Sequence, residues 1–134
     1  MRVLLDTHIA LWALLDSEKL PEQARAFLKN DDSLATFSIV SAWEVAIKHT
    51  SHPDKMPISG GEFWNYCMKA GYLPLSLFEE HIHALETLHR AESAPPHKDP
   101  FDRMLIAQAK AENMLFLTHD SLLTHYNEPC VIKV

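Results

Sequence analysis

The stretch Arg2-Val3-Leu4-Leu5-Asp6-Thr7 decides how this chain folds. Val3, Leu4 and Leu5 form a short apolar run without alternation and with one β-branched member, the pattern of a strand covered on both faces in the middle of a parallel sheet. From His8 to Leu15 the period changes, with Ile9, Trp12 and Ala13 on one helical stripe. Asp6 therefore stands where a central strand gives way to a helix. Ligands collect beyond the carboxyl ends of strands in open parallel sheets. The plainer reading is that Asp6 caps the helix, a frequent task for aspartate.

Working outward, strands and helices alternate along the chain. Pro21–Asn30 reads as a helix with Ala24, Phe27 and Leu28 buried. Leu34–Phe37 reads as a strand, and Ser38–Thr50 as a helix with Val40, Trp43, Ala46 and Ile47 inward. Glu62–Ala70 is helical and closes at Gly71. Tyr72–Leu75 is a strand that Pro74 confines to a sheet edge. Phe78–Leu88 and Asp99–Glu112 are helices, and Leu115–Thr118 and Val131–Val134 are strands. The alternation predicts an α/β three-layer sandwich, with a mostly parallel sheet of four to five strands and helices on both faces. No linker or repeat divides residues 1–134, so they read as one domain, long enough to bury a substantial core.

Apolar residues make up 47% of the chain and charged ones 22%, the balance of a water-soluble globular protein. Cys67 and Cys130 are too few for a disulfide framework and lack metal spacing, and no segment is long enough to span a bilayer. These features predict a cytoplasmic protein. The net charge of −6 argues against sequence-independent affinity for a phosphate backbone, although carboxylates can meet phosphate through a divalent cation. Three glycines leave no phosphate-binding loop or dinucleotide fingerprint. The nine histidines include no His-Glu-x-x-His pair, and only His8, beside Asp6, lies near the expected edge.

Three further acids occupy places equivalent to that of Asp6. Glu44 lies one turn into the helix after the second strand, Asp102 in the first turn of the helix from Asp99, and Asp120 just past the Leu115–Thr118 strand. In a right-handed parallel fold these places share one edge of the sheet. Each also has a plainer explanation. Ser41-Ala42-Trp43-Glu44 spells a capping box, Asp99-Pro100 an N-cap followed by proline at N1, and Asp120 a cap for a short turn. Capping accounts for acids at helix starts, but not for the apolar bulk of Leu5, Trp43, Phe101 and Leu117 beside them. Buried carboxylates of like charge repel unless a cation joins them, and oxygen-only donors suit Mg²⁺ or Mn²⁺.

Leu4-Leu5-Asp6-Thr7-His8, Ser41-Ala42-Trp43-Glu44-Val45-Ala46-Ile47-Lys48, Asp99-Pro100-Phe101-Asp102-Arg103-Met104-Leu105-Ile106-Ala107-Gln108-Ala109 and Leu117-Thr118-His119-Asp120 resemble, in order, the four motifs of PIN-domain proteins. The likeness is to the toxin ribonucleases of VapBC-type toxin–antitoxin pairs and covers nearly the whole chain. His119 departs from the pattern, standing where relatives often carry a basic residue such as arginine. The resemblance implies metal-dependent cleavage of RNA, with Mg²⁺ or Mn²⁺ on Asp6, Glu44, Asp102 and Asp120. Thr7 and Thr118 would orient carboxylates or water through their hydroxyls, and Asp99 would support the ligands or cap its helix. Such a site aligns a water for in-line attack on phosphorus and leaves a 5′ phosphate. Lys48 and Arg103 are the cations available to the RNA backbone, with an i, i+4 pair to Glu44 as the plainer role for Lys48. Trp12, Trp43, Trp64 and Phe101 read as core residues rather than base-stacking platforms. The resemblance also implies a cognate antitoxin and a homodimer, for which the helices Leu20–Leu28 and Phe63–Ala70 offer surfaces. The rival reading is a PIN-like binding module that keeps its acids without cleaving anything.

Overall fold

A computed structural model describes residues 1–134. Five parallel strands form one sheet: β1 (Arg2–Leu5), β2 (Leu34–Ser38), β3 (Leu73–Leu75), β4 (Leu115–Thr118) and β5 (Val131–Lys133), in the order β3-β2-β1-β4-β5. The expected mostly parallel sheet is thus parallel throughout. β1 is central, with Val3 opposite Ala35 on one side and Leu115 on the other. β3, with Pro74, is an edge strand as anticipated.

The apolar run of β1 is buried because it faces two cores. Val3 and Leu5 pack with Ile9, Ala24, Phe37 and Phe63, whereas Leu4 points to the opposite cluster of Leu105, Ile106, Phe116 and Leu123. One face is covered by α1 (Thr7–Leu14), α2 (Glu22–Lys29) and α4 (Gly60–Lys69). The other is covered by α5 (Glu79–Leu85), α6 (Pro100–Glu112) and a 3₁₀ turn over Ser121–Tyr126. Val40 belongs to one core and Val45 to the other, so α3 (Ile39–Ser51) spans the end of the sheet rather than lying on a single face. No helix is long and apolar enough to cross a membrane.

Side-chain caps start α1, α3, α4 and α6. Ser59 and Glu62 form a capping box at the start of α4, and Gly71, at φ 85°, follows that helix in the left-handed conformation glycine tolerates. Gly60 has a different reason to be glycine. A Cβ there would sit 2.6 Å from the Ala42 carbonyl oxygen and 2.7 Å from the Ala46 Cβ, because α4 packs directly on the backbone of α3. Gly60→Ala is expected to destabilise the protein by about 1–3 kcal/mol through overpacking, despite alanine's better helix propensity. Chemical denaturation checks this, and an unchanged midpoint would refute the close-packing account.

Candidate functional site

The site is assembled from four chain segments that end or begin at the carboxyl edge of the sheet. β1 delivers Asp6, which is 5% exposed and caps α1. Its Oδ1 accepts the Thr7 amide at 2.7 Å, and its Oδ2 accepts the Thr118 hydroxyl at 2.7 Å. Thr118 ends β4, and its Oγ1 also accepts the Asp120 amide at 3.0 Å, so one hydroxyl ties Asp6 to the backbone of the Asp120 loop. Asp120 caps the 3₁₀ turn by accepting the Leu122 amide at 2.9 Å.

α3 brings in Glu44, 3% exposed. Thr7 Oγ1 donates to Glu44 Oε1 at 2.8 Å and stands 2.9 Å from the Ser41 hydroxyl, while Lys48 Nζ donates to Oε2 at 2.6 Å. The capping box read from Ser41 to Glu44 is not formed. Ser38 is the N-cap, accepting the Val40 amide at 3.0 Å, which places Ser41 and Glu44 inside the helix with both side chains turned toward Thr7. The inward stripe of α3 is accordingly Val40, Ser41, Glu44 and Val45. Trp43 is 57% exposed and Ile47 41%, correcting the reading that put both in the core. Trp43 instead meets the ring of Phe101 edge-on at 5.0 Å between centroids, at the rim of the site.

At the start of α6, Asp99 is the N-cap and accepts the amides of Phe101 and Asp102, with Pro100 in the first turn. Asp102 sits one turn in, its side chain 15% exposed. Arg103 follows it at the start of α6, partly buried. Lys48 is committed to Glu44; burial lowers its pKa most, but the Glu44 bond together with the charges of Glu44, Asp99 and Asp102 holds it above the usual lysine value.

One contributor escaped the sequence reading. His97, in the loop before α6, has a side chain only 4% exposed. Its Nε2 lies 3.2 Å from Asp102 Oδ2 and its Nδ1 2.7 Å from the Tyr126 hydroxyl. Ligand atoms of His97, Asp102 and Asp120 all fall within 4.8 Å of one another. A histidine after Pro95-Pro96 carries no periodic or spacing signal, since its partners are 5 and 29 residues away in sequence. The adjacent histidines are less engaged. His8 is exposed and borders a cavity of about 250 Å³ lined also by Asp6, Trp12, His119 and Asp120, and His119 Nδ1 is taken by the Val134 carbonyl.

The electrostatics follow from crowding. Burial raises the Asp6 carboxyl to about 6, opposed by the bonds from Thr118 and Thr7 and aided by the charges of Glu44 and Asp120. Burial first, and then the charges of Asp6, Asp99, Glu44 and Asp120, push Asp102 up to about 8. Of the four acids only Glu44 has a lysine or arginine partner. Asp6, Asp102 and Asp120 face one another with no such cation between them, and their donors are carboxylate oxygens. That donor set fits a hard divalent ion, which would relieve the repulsion and hold the acids ionised.

An all-parallel α/β sheet with a carboxylate pocket beyond its central strands defines the class of this protein. Its sequence matches the PIN domain over residues 3–129, and the chain belongs to that family. No curated protein sequence matches it. Among solved structures, the fold is similar to VapBC2 from Rickettsia felis, solved bound to a DNA fragment from its promoter, with a TM-score of 0.68, 15% identity and coverage of 100% of this chain and 98% of that one. It is also similar to FitAcB from Neisseria gonorrhoeae, with a TM-score of 0.54, 17% identity and coverage of 92% and 89%. These likenesses bear out the α/β fold expected from the sequence.

Proposed function

We propose that this protein is a metal-dependent endoribonuclease, acting as the toxin of a toxin–antitoxin pair in the cytoplasm. The observation that carries the reading is that Asp6, Glu44, Asp102 and Asp120, from four separate segments, come close enough for the charges of the other three to raise the Asp102 carboxyl, with Lys48 on Glu44 the one lysine or arginine paired to them. Family membership supports nuclease chemistry, and the likeness of the fold to VapBC2 and FitAcB supports a cognate antitoxin as partner.

In this reading the four carboxylates hold Mg²⁺ or Mn²⁺. A divalent ion there supplies Lewis acidity, lowering the pKa of an attacking water and stabilising charge on the departing 3′ oxygen. The chain's own residues do the positioning. Thr118 fixes the Asp6 carboxylate from one side and Thr7 fixes Glu44 from the other, so neither acid can swing out to solvent. Asp99 holds the first turn of α6 and thereby the direction of Asp102. Lys48 and Arg103 stand at the rim, where RNA phosphates would pass, and a homodimer would place two such pockets in one assembly.

The test is incubation of the purified protein with structured RNA in Mg²⁺, Mn²⁺ or excess chelator. Cleavage is expected with either metal, with 5′ phosphates on the products, and none with chelator. Metal-independent cleavage, or products ending in a 2′,3′-cyclic phosphate, would overturn the mechanism, and no cleavage under any metal would favour a silent binding module.

A further inference from the structure

We infer that His97 is a nitrogen ligand of the same ion, so that the site is a mixed nitrogen–oxygen centre that takes divalent transition-metal ions ahead of Mg²⁺. The inference rests on the proposed metal site and adds a residue and a metal preference to it.

The geometry of the loop carries it. His97 Nδ1 is engaged by the Tyr126 hydroxyl at 2.7 Å, which leaves Nε2 as the atom turned toward the acids. A histidine that binds a metal through one ring nitrogen commonly gives its other N–H to a fixed oxygen. The Tyr126 partner fixes the ring so that Nε2 lies 3.2 Å from Asp102 Oδ2, where one ion can be shared by the imidazole nitrogen and the carboxylate. Cis ligands of an octahedral ion about 2.1 Å from each donor stand about 3.0 Å apart. The His97–Asp102 separation is close to that spacing, and Asp120 supplies a third atom within 4.8 Å of both.

The loop is built to hold the ring in place. Arg90 donates to the Pro95 carbonyl and stacks over the Tyr126 ring at 5.3 Å, bracing both the segment before His97 and its phenol partner. The imidazole meets the Tyr126 ring edge-on, at 5.5 Å between centroids and 88° between planes. With its side chain 4% exposed, His97 is not a surface histidine that an RNA could reach without the pocket opening. Imidazole is a softer donor than carboxylate and favours transition ions over Mg²⁺, whereas four carboxylates alone would favour neither strongly.

The experiment is pulsed electron paramagnetic resonance of the full-length protein with Mn²⁺, comparing natural-abundance protein with protein carrying ¹⁵N-histidine. The expected result is modulation from a directly coordinated ¹⁴N that changes on labelling and disappears in His97→Gln. Calorimetry should then show Mn²⁺ affinity reduced at least about tenfold in His97→Gln and Mg²⁺ affinity reduced much less. Bound Mn²⁺ without nitrogen coupling, or coupling that persists in His97→Gln, would overturn the inference while leaving the carboxylate site intact. Absence of any bound Mn²⁺ would overturn both this inference and the proposed metal site. Should His97→Gln fail to fold, a His8→Gln/His119→Gln double variant decides in its place: surviving coupling supports His97, and lost coupling refutes it.

Discussion

Asp6→Asn is expected to reduce RNA cleavage by at least about a hundredfold and to abolish the rise in melting temperature that Mn²⁺ gives the parent protein. Ion binding at a hundred times its dissociation constant contributes about 2.7 kcal/mol to stability, which for a chain of this size is a rise of roughly 10 °C. Asp6 is central to that response because it is the acid held most tightly, with one oxygen on the Thr7 amide and the other on the Thr118 hydroxyl. An amide in its place keeps the shape but lacks the charge. Either orientation turns its NH₂ toward a donor, since the Thr7 N–H and the Thr118 O–H both point at it. The metal-free variant should therefore show a modest change in melting temperature, separable from loss of the metal response. A variant that still melts higher with Mn²⁺ and still cuts RNA would remove Asp6 from the site, and with it the account of how β1 contributes to function.

Much of this site can be read from residues whose role is local. The run Val3-Leu4-Leu5 announces a strand buried on both sides, and in the structure its members divide between two cores. Asp99-Pro100 announces a helix start, and Asp99 caps that helix through two amides. α3 shows where local rules stop. Of the stripe expected inward, Val40 is buried, but Trp43 and Ile47 are 57% and 41% exposed. The face turned inward is the one bearing Ser41 and Glu44, because at the end of the sheet the neighbours are Thr7 and Asp6 rather than apolar side chains. Hydrophobic periodicity identifies the buried stripe only where the surroundings are apolar. At a polar site it finds only part of that face. His97 is hidden for a related reason: its burial depends on Tyr126 and Arg90, which the fold alone brings to it.

Crowding of the acids has a second consequence, seen in stability against pH. With chelator present, the parent protein is expected to lose melting temperature as pH rises from about 5 to about 8.5, by about 5 °C or more. The sign follows from the direction of the shifts. Asp102 is raised from 3.8 to about 8 and Asp6 to about 6, so across that range the folded state holds protons that the unfolded chain has released. The stability linked to those protons is complete below the unfolded value near 3.8 and is lost as pH climbs through 6 and then 8. Asp102→Asn removes the larger share. The variant should melt higher than the parent at pH 8.5 in chelator, show a flatter profile, and respond much less to Mn²⁺. The difference between the two proteins reports on Asp102 together with His97, the side chain it touches. Mn²⁺ reverses the slope for the parent, because an ion takes the carboxylates ionised and competes with protons for them, so the profiles with metal and with chelator diverge as pH increases. A substitution that stabilises the metal-free fold while removing its response to metal is the signature of acids kept at a cost for what they bind. A parent profile that rises with pH in chelator, or an Asp102→Asn variant no more stable than the parent at pH 8.5, would mean that Asp102 lies in more polar surroundings than its place beside Asp6, Asp120 and His97 implies.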